Sequence, residues 1–187
     1  MDRRELLKMI AVVTGGAVVG GELFLTGCKS GAGIVAEFNA DTLAFLDEVA
    51  ETIIPATATP GAKAAKVAEF MKLFVNDCYE EKDQKAFLDG IPKLNEASKK
   101  ANKKDFMEAS PEDRKALLIS LDKESKAYMQ AKTAADPTHY FMLMKQLTLL
   151  GFFTSKTGAT ETLRHIQVPG HYDGAYPYKK GDKAWSE

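Results

Sequence analysis

Two cysteines in 187 residues are too few for a disulfide framework, an all-cysteine zinc site or a four-thiolate iron–sulfur cluster. Histidine is as scarce. His139, His165 and His171 are the three present, and no H-E-x-x-H spacing joins any of them. Excess charge of one sign is missing as well: 25 lysines and arginines face 26 aspartates and glutamates, leaving a net charge of −1. A nucleic-acid binder needs a cationic excess to neutralise phosphates, so nucleic acid is excluded as a partner. The sequence also lacks C-x-x-C-H, G-x-G-x-x-G, G-x-x-x-x-G-K-[ST] and G-x-S-x-G, which removes the recognisable seats for haem, a dinucleotide, a nucleoside triphosphate and an activated serine. The expectation is a chain with no catalytic residue, no cofactor and no metal of its own.

What is present begins with an address. Arg3 and Arg4 stand in a charged opening, followed by an apolar run from Met9 to Gly21 that contains Gly15, Gly16, Gly20 and Gly21. That run is shorter than the roughly 20 residues of a spanning helix, and its layout is that of a secretory signal. The Arg-Arg-x-Leu-Leu-Lys order resembles a twin-arginine export signal. Leu25-Thr26-Gly27-Cys28 resembles a lipobox, in which Cys28 becomes the lipid-bearing mature N-terminus. Residues 1–27 are therefore expected to be a twin-arginine-type lipoprotein signal peptide, 28–38 a tether, and 39–187 the folded domain. The product would be an exported lipoprotein anchored to a membrane and facing the periplasm, with Cys78 as its lone thiol.

From Asn39 onward, apolar residues recur at three- and four-residue steps. Leu43, Leu46, Val49, Ala50, Ile53 and Ile54 mark one amphipathic helix, which Pro55 stops. Val67, Phe70, Met71, Phe74 and Val75 mark a second, with Cys78 as an apolar residue at its end. A lysine-rich stretch from Lys82 to Lys104 carries Phe87, Leu88, Ile91 and Leu94 on one face, and Gly90 and Pro92 are expected to kink or split it. Lys99, Lys100, Lys103 and Lys104 form a solvated face. Ser110-Pro111-x-Asp113 is a helix start, with serine as cap and proline at the first helical position, ahead of Leu117, Leu118 and Leu121. Asp136-Pro137 repeats that signal before Tyr140, Phe141, Leu143, Met144, Leu147, Leu150 and Phe153. This last segment is apolar nearly all round and predicts a central buried helix. The fold class is all-α: a compact helical domain of about five or six helices with an irregular, aromatic C-terminal tail.

That tail, from Val168, interleaves Pro169, Gly170, Gly174, Pro177 and Gly181 with Tyr172, Tyr176, Tyr178 and Trp185. It is too broken for a helix and too aromatic for a free linker, so it should lie extended against the protein's own body, another subunit, or a sugar. Stiff, irregular segments lose little entropy on docking. On that ground Pro60, Gly61, Pro169, Gly170, Tyr172 and Tyr176 are the expected partner interface.

Two segments carry a family resemblance. Glu51-Thr52-Ile53-Ile54-Pro55-Ala56-Thr57-Ala58-Thr59-Pro60-Gly61-Ala62 resembles the E-x-I-I-P-x-T-x-T-P-G-A segment of the gluconate 2-dehydrogenase subunit 3 family. Thr154 to Thr160, then Val168-Pro169-Gly170-His171-Tyr172-Asp173-Gly174, resembles that family's distal signature. The resemblance implies a non-catalytic small subunit of a membrane-associated dehydrogenase. Its large partner would be a flavoprotein of the glucose–methanol–choline type that holds FAD and oxidises a sugar or polyol, passing electrons to a cytochrome c or another acceptor. The small subunit would assist the flavoprotein's maturation and export. One rival is a stand-alone lipoprotein that binds carbohydrate through the tail aromatics; a second is an enzyme using His165 and His171.

Overall fold

The computed structural model describes residues 38–168 and 170–186. The signal and lipidation expectations, with Arg3, Arg4 and Cys28, lie outside the described residues, and so does Pro169.

Five α-helices make up the body: α1 (Ala40–Ile53), α2 (Val67–Cys78), α3 (Glu81–Asn102), α4 (Pro111–Ala131) and α5 (Tyr140–Thr154). A π-helical turn (Gly158–Thr162) and two short strands, β1 (Arg164–His165) and β2 (Trp185–Ser186), follow. The all-α expectation holds. Asn39 caps α1 by accepting the Thr42 N–H at 2.8 Å, and the chain leaves the helix just before Pro55. Ser110 caps α4 through the Asp113 N–H, with Pro111 at the first helical position, as the sequence requires.

Helix α5 is central and packs against α1, α2, α3 and α4. Its Phe141, Leu143, Met144, Leu147 and Phe152 are buried among Leu46, Val49, Met71, Val75, Phe87, Leu94, Leu118 and Leu121. The burial is not all round. Gln146, Leu149, Leu150 and Phe153 line an open face, so Leu150 and Phe153 are not core residues. The four neighbours enclose α5 on the remaining sides only.

Other expectations are corrected by local chemistry. Helix α3 is not split at Gly90 and Pro92 but runs through both. The missing Pro92 N–H removes one backbone bond, and the glycine serves a close crossing: a Cβ at Gly90 would lie 2.4 Å from Tyr140 Cβ. Asp136 does not start α5. Its carboxylate accepts the backbone N–H and the hydroxyl of Thr133, both at 2.8 Å, which closes a turn of its own. His139 caps the helix instead, its Nδ1 accepting the Phe141 N–H at 3.2 Å. Phe38, placed in the tether, is buried and its ring packs 6.4 Å from Phe87. Cys78 is exposed rather than packed.

Two of the five α-helices, α2 and α3, start without a side-chain cap. Lys66, before α2, sits in the left-handed region at φ 55° and offers no side-chain acceptor. The Asp47 carboxyl of α1 faces that start, where the Ala68 N–H favours its charged form, while its Oδ1 is buried without a hydrogen-bond partner. Burial nevertheless pushes the Asp47 carboxyl above its ordinary value, because desolvation outweighs that N–H and the attraction of Lys63. A carboxyl raised in the folded state favours folding when protonated. Its cost is absent below the unfolded value of 3.8 and grows as pH rises toward the folded one. Asp47→Asn, which keeps an acceptor for Ala68, is therefore expected to raise the melting temperature at pH 7, with the gain vanishing toward pH 4. Thermal denaturation at both pH values checks this; equal effects at the two would contradict it.

Candidate partner-binding site

The loop after α1 is built around one carboxylate. Glu51 lies in the last turn of α1, where the helix dipole disfavours an acid. Its two oxygens are used separately: Oε1 accepts the Ala56 N–H at 2.8 Å, and Oε2 accepts the Lys63 N–H at 2.9 Å. The Ala62 N–H closes the base on Ile54 O at 3.0 Å, and the Thr57 N–H crosses to Thr59 O at 2.9 Å. Residues 55–58 are thereby held outward and exposed, and Pro60 is half-buried. Gly61, expected at the interface, is buried, and a Cβ there would meet Glu51 Oε1 at 2.3 Å and Ala56 N at 2.6 Å. It supports the loop and offers no surface. The signal that could have found Glu51 is its position: an acid at a helix C-terminus, followed by a loop whose N–H groups need acceptors.

The neighbouring charges brace this region. Glu48, one turn earlier, pairs with Arg114 of α4 at 2.7 Å and with Lys63. Arg114 also donates from Nε to Phe106 O at 2.8 Å and to Met107 O, and its guanidinium lies 5.4 Å from the centre of the Phe106 ring. One side chain thus ties α1, α4 and the turn between α3 and α4 together.

The tail does not lie extended against the body. It leaves and returns through a neck. Strands β1 and β2 pair in parallel, Arg164 opposite Trp185 and His165 opposite Ser186, and the Arg164 N–H donates to Ala184 O at 2.8 Å. The Arg164 guanidinium stacks 4.5 Å over Trp185 and 5.8 Å from Tyr176, whose rings meet edge to face at 5.3 Å. Lys183 Nζ reaches Glu161 O. Beyond the neck, Gly170 and Gly181 take left-handed φ values of 79° and 96°, which glycine alone adopts freely. Tyr172 is 94% exposed and Tyr178 77%, while Tyr176 is partly committed to the neck.

His165 is exposed, with Nδ1 3.2 Å from Ser186 O, and His171 is exposed. The two are not brought together. No hydrogen bond, ion pair or ring contact among the described residues joins the loop at 55–61 to the tail. The face of α5 with Leu149, Leu150 and Phe153 is exposed as well, although periodicity assigned Leu150 and Phe153 to the core. Among the described residues no group of histidine, cysteine and carboxylate side chains could hold a metal, and no helix is long and apolar enough to cross a membrane.

No curated protein and no solved structure matches the chain. A family model, described as gluconate 2-dehydrogenase subunit 3, matches residues 40–170. That span runs from the first residue of α1 to the left-handed glycine beyond the neck of the tail, and includes all five helices and the Glu51 loop, so the chain belongs to the gluconate 2-dehydrogenase subunit 3 family.

Proposed function

We propose that this chain is the non-catalytic small subunit of a periplasmic-side, FAD-dependent sugar or polyol dehydrogenase, and that it assists the maturation and export of the flavoprotein subunit. In this reading FAD belongs to the partner, which is of the glucose–methanol–choline type, and electrons leave through a cytochrome c or another acceptor. Arg3 and Arg4 direct the assembled pair to twin-arginine export, and Cys28 carries the lipid that holds it at a membrane. The observation that carries the reading is family membership. The tail supports it: two tyrosine rings held out on a closed loop have the character of interface anchors.

The test is co-expression with a flavoprotein dehydrogenase of the glucose–methanol–choline type from the same organism, followed by affinity pulldown, cell fractionation and a dye-linked assay. A flavin-bearing protein is expected to co-purify, and this chain alone is expected to reduce no dye. Tyr172→Ala with Tyr178→Ala should weaken the complex about tenfold or more. Changing Arg3 and Arg4 to lysine should leave both chains in the cytoplasm. Dye reduction by this chain alone, or pulldown without flavin, would overturn the reading. Tight sugar binding by the isolated chain would favour the carbohydrate-binding rival.

A further inference from the structure

A groove of about 330 Å³ opens between the end of α1, the outer side of α4 and the start of α5. Its apolar wall is Ile53, Leu118, Ile119 and Phe141; its charged rim is Lys115, Lys123, Lys126 and Lys145 with a single carboxylate, Asp122. The rim is strongly cationic on a chain whose net charge is −1. Its internal pairing is also uneven. Asp122 is already held by two of the lysines, Lys126 at 2.8 Å and Lys145 at 2.6 Å. Lys115 and Lys123 have no ion-pair partner among the described residues.

The spacing of those two lysines narrows what would fit. Ile119 stands one helical turn from each, on the same line along α4, and is 49% exposed. An uncommitted lysine, an exposed apolar side chain and a second uncommitted lysine therefore run along about 12 Å of helix. Like charges gathered at an apolar opening are an unfavourable arrangement for a free surface. They are complementary to an occupant bearing carboxylates on either side of an apolar group.

Resting on the subunit reading above, we propose that this groove docks an acidic–apolar–acidic segment of the flavoprotein partner. In the docked state carboxylates meet Lys115 and Lys123, and an apolar side chain sits on Ile119 and Leu118. The rim would guide and orient the encounter, while the apolar wall would hold the segment in place.

The experiment uses the full chain with its flavoprotein. Affinity is measured for the wild type and for Lys115→Glu with Lys123→Glu, at low salt and at about 0.5 M salt, where charges are screened beyond a few Å. A photo-crosslinking residue is placed separately at Ile119. Both lysines are exposed, and an unchanged melting temperature confirms that the double variant folds. The expected result is a complex at least tenfold weaker at low salt, a difference that shrinks at high salt, and a crosslink from position 119 into an acidic stretch of the flavoprotein. A complex that forms with unchanged affinity in the folded double variant overturns the groove assignment and leaves the subunit reading standing. So does a crosslink joining two copies of this chain. Failure of the wild type to bind any flavoprotein overturns the subunit reading, and the groove assignment with it.

Discussion

Replacing Arg114 with methionine is expected to lower the midpoint of thermal unfolding by about 6–12 °C. Methionine keeps most of the aliphatic stem, so the loss isolates the guanidinium. That group is only 15% exposed and faces Glu48, Phe106 O, Met107 O and the Phe106 ring together. Removing it takes a donor from two carbonyls, leaving Phe106 O with only the longer bond from the Ala109 N–H at 3.4 Å, and leaves Glu48 with Lys63 as its remaining cation. Breaking a largely buried pair costs about 3 kcal/mol, and a domain of this size loses about 2–4 °C per kcal/mol. Lysine is not an equivalent here, because one ammonium cannot reach the carboxylate and both carbonyls in the fork geometry of arginine. Arg114→Lys should therefore recover less than half of the loss. Full recovery by lysine, or a shift below about 2 °C for methionine, would show that these contacts contribute little, as exposed surface pairs do.

Gly90→Ala is expected to destabilise by about 2 kcal/mol, against the ordinary direction of a glycine-to-alanine change inside a helix, which gains up to about 1 kcal/mol. The new methyl group would stand 2.4 Å from Tyr140 Cβ, 2.7 Å from Cγ and 2.8 Å from Cδ2. Tyr140 is the first residue of α5, and its ring stacks on His139 with centroids 4.5 Å apart. The nearest atom is the tyrosine's own Cβ, so trimming Tyr140 to alanine removes little of the clash. Relief needs Tyr140→Gly, and the Gly90→Ala, Tyr140→Gly pair should lose less stability than the two single changes added together. Chemical denaturation of the four proteins in that cycle measures the coupling. A stabilised Gly90→Ala variant would mean that α3 and α5 can separate at no cost.

Much of this fold was legible wherever the determinant is local. The three- and four-residue recurrence of apolar side chains located α1, α2 and α4, and Ser110-Pro111 located a helix start to the residue. Errors arose where a local pattern competes with a contact from elsewhere in the chain. Asp136-Pro137 has the composition of a helix start, yet Thr133 takes the carboxylate and Asp83 of α3 accepts the Thr138 N–H at 2.8 Å. Gly90 resembles a helix breaker until the tyrosine lying against it is known. The candidate surfaces divide in the same way. Tyr172 stood out by composition and is exposed. The inward role of Gly61 depends on the direction of the Glu51 carboxylate, which spacing does not encode. The neck of the tail joins residues that are far apart in the chain, through a stacked guanidinium. The groove was missed for a related reason: its α4 lysines are interleaved with acids in the sequence, and its apolar wall is completed only by Ile53 of α1 and Phe141 of α5.

The central position of α5 bears on the order in which the molecule can be made. Synthesis proceeds from the N-terminus, and the helix around which α1 to α4 pack is the last of the five to leave the ribosome. Until Phe141, Met144, Leu147 and Phe152 emerge, Leu46, Met71, Phe87 and Leu94 have no common centre to bury against. The four earlier helices also pack on one another, but the part of each apolar face that α5 covers stays open until then, a condition under which nascent chains collapse or aggregate. Completion of the core is thus deferred to a single late segment. A truncation just before Tyr140 would remove only the final quarter of the sequence and would leave four helices without the surface that makes them one domain.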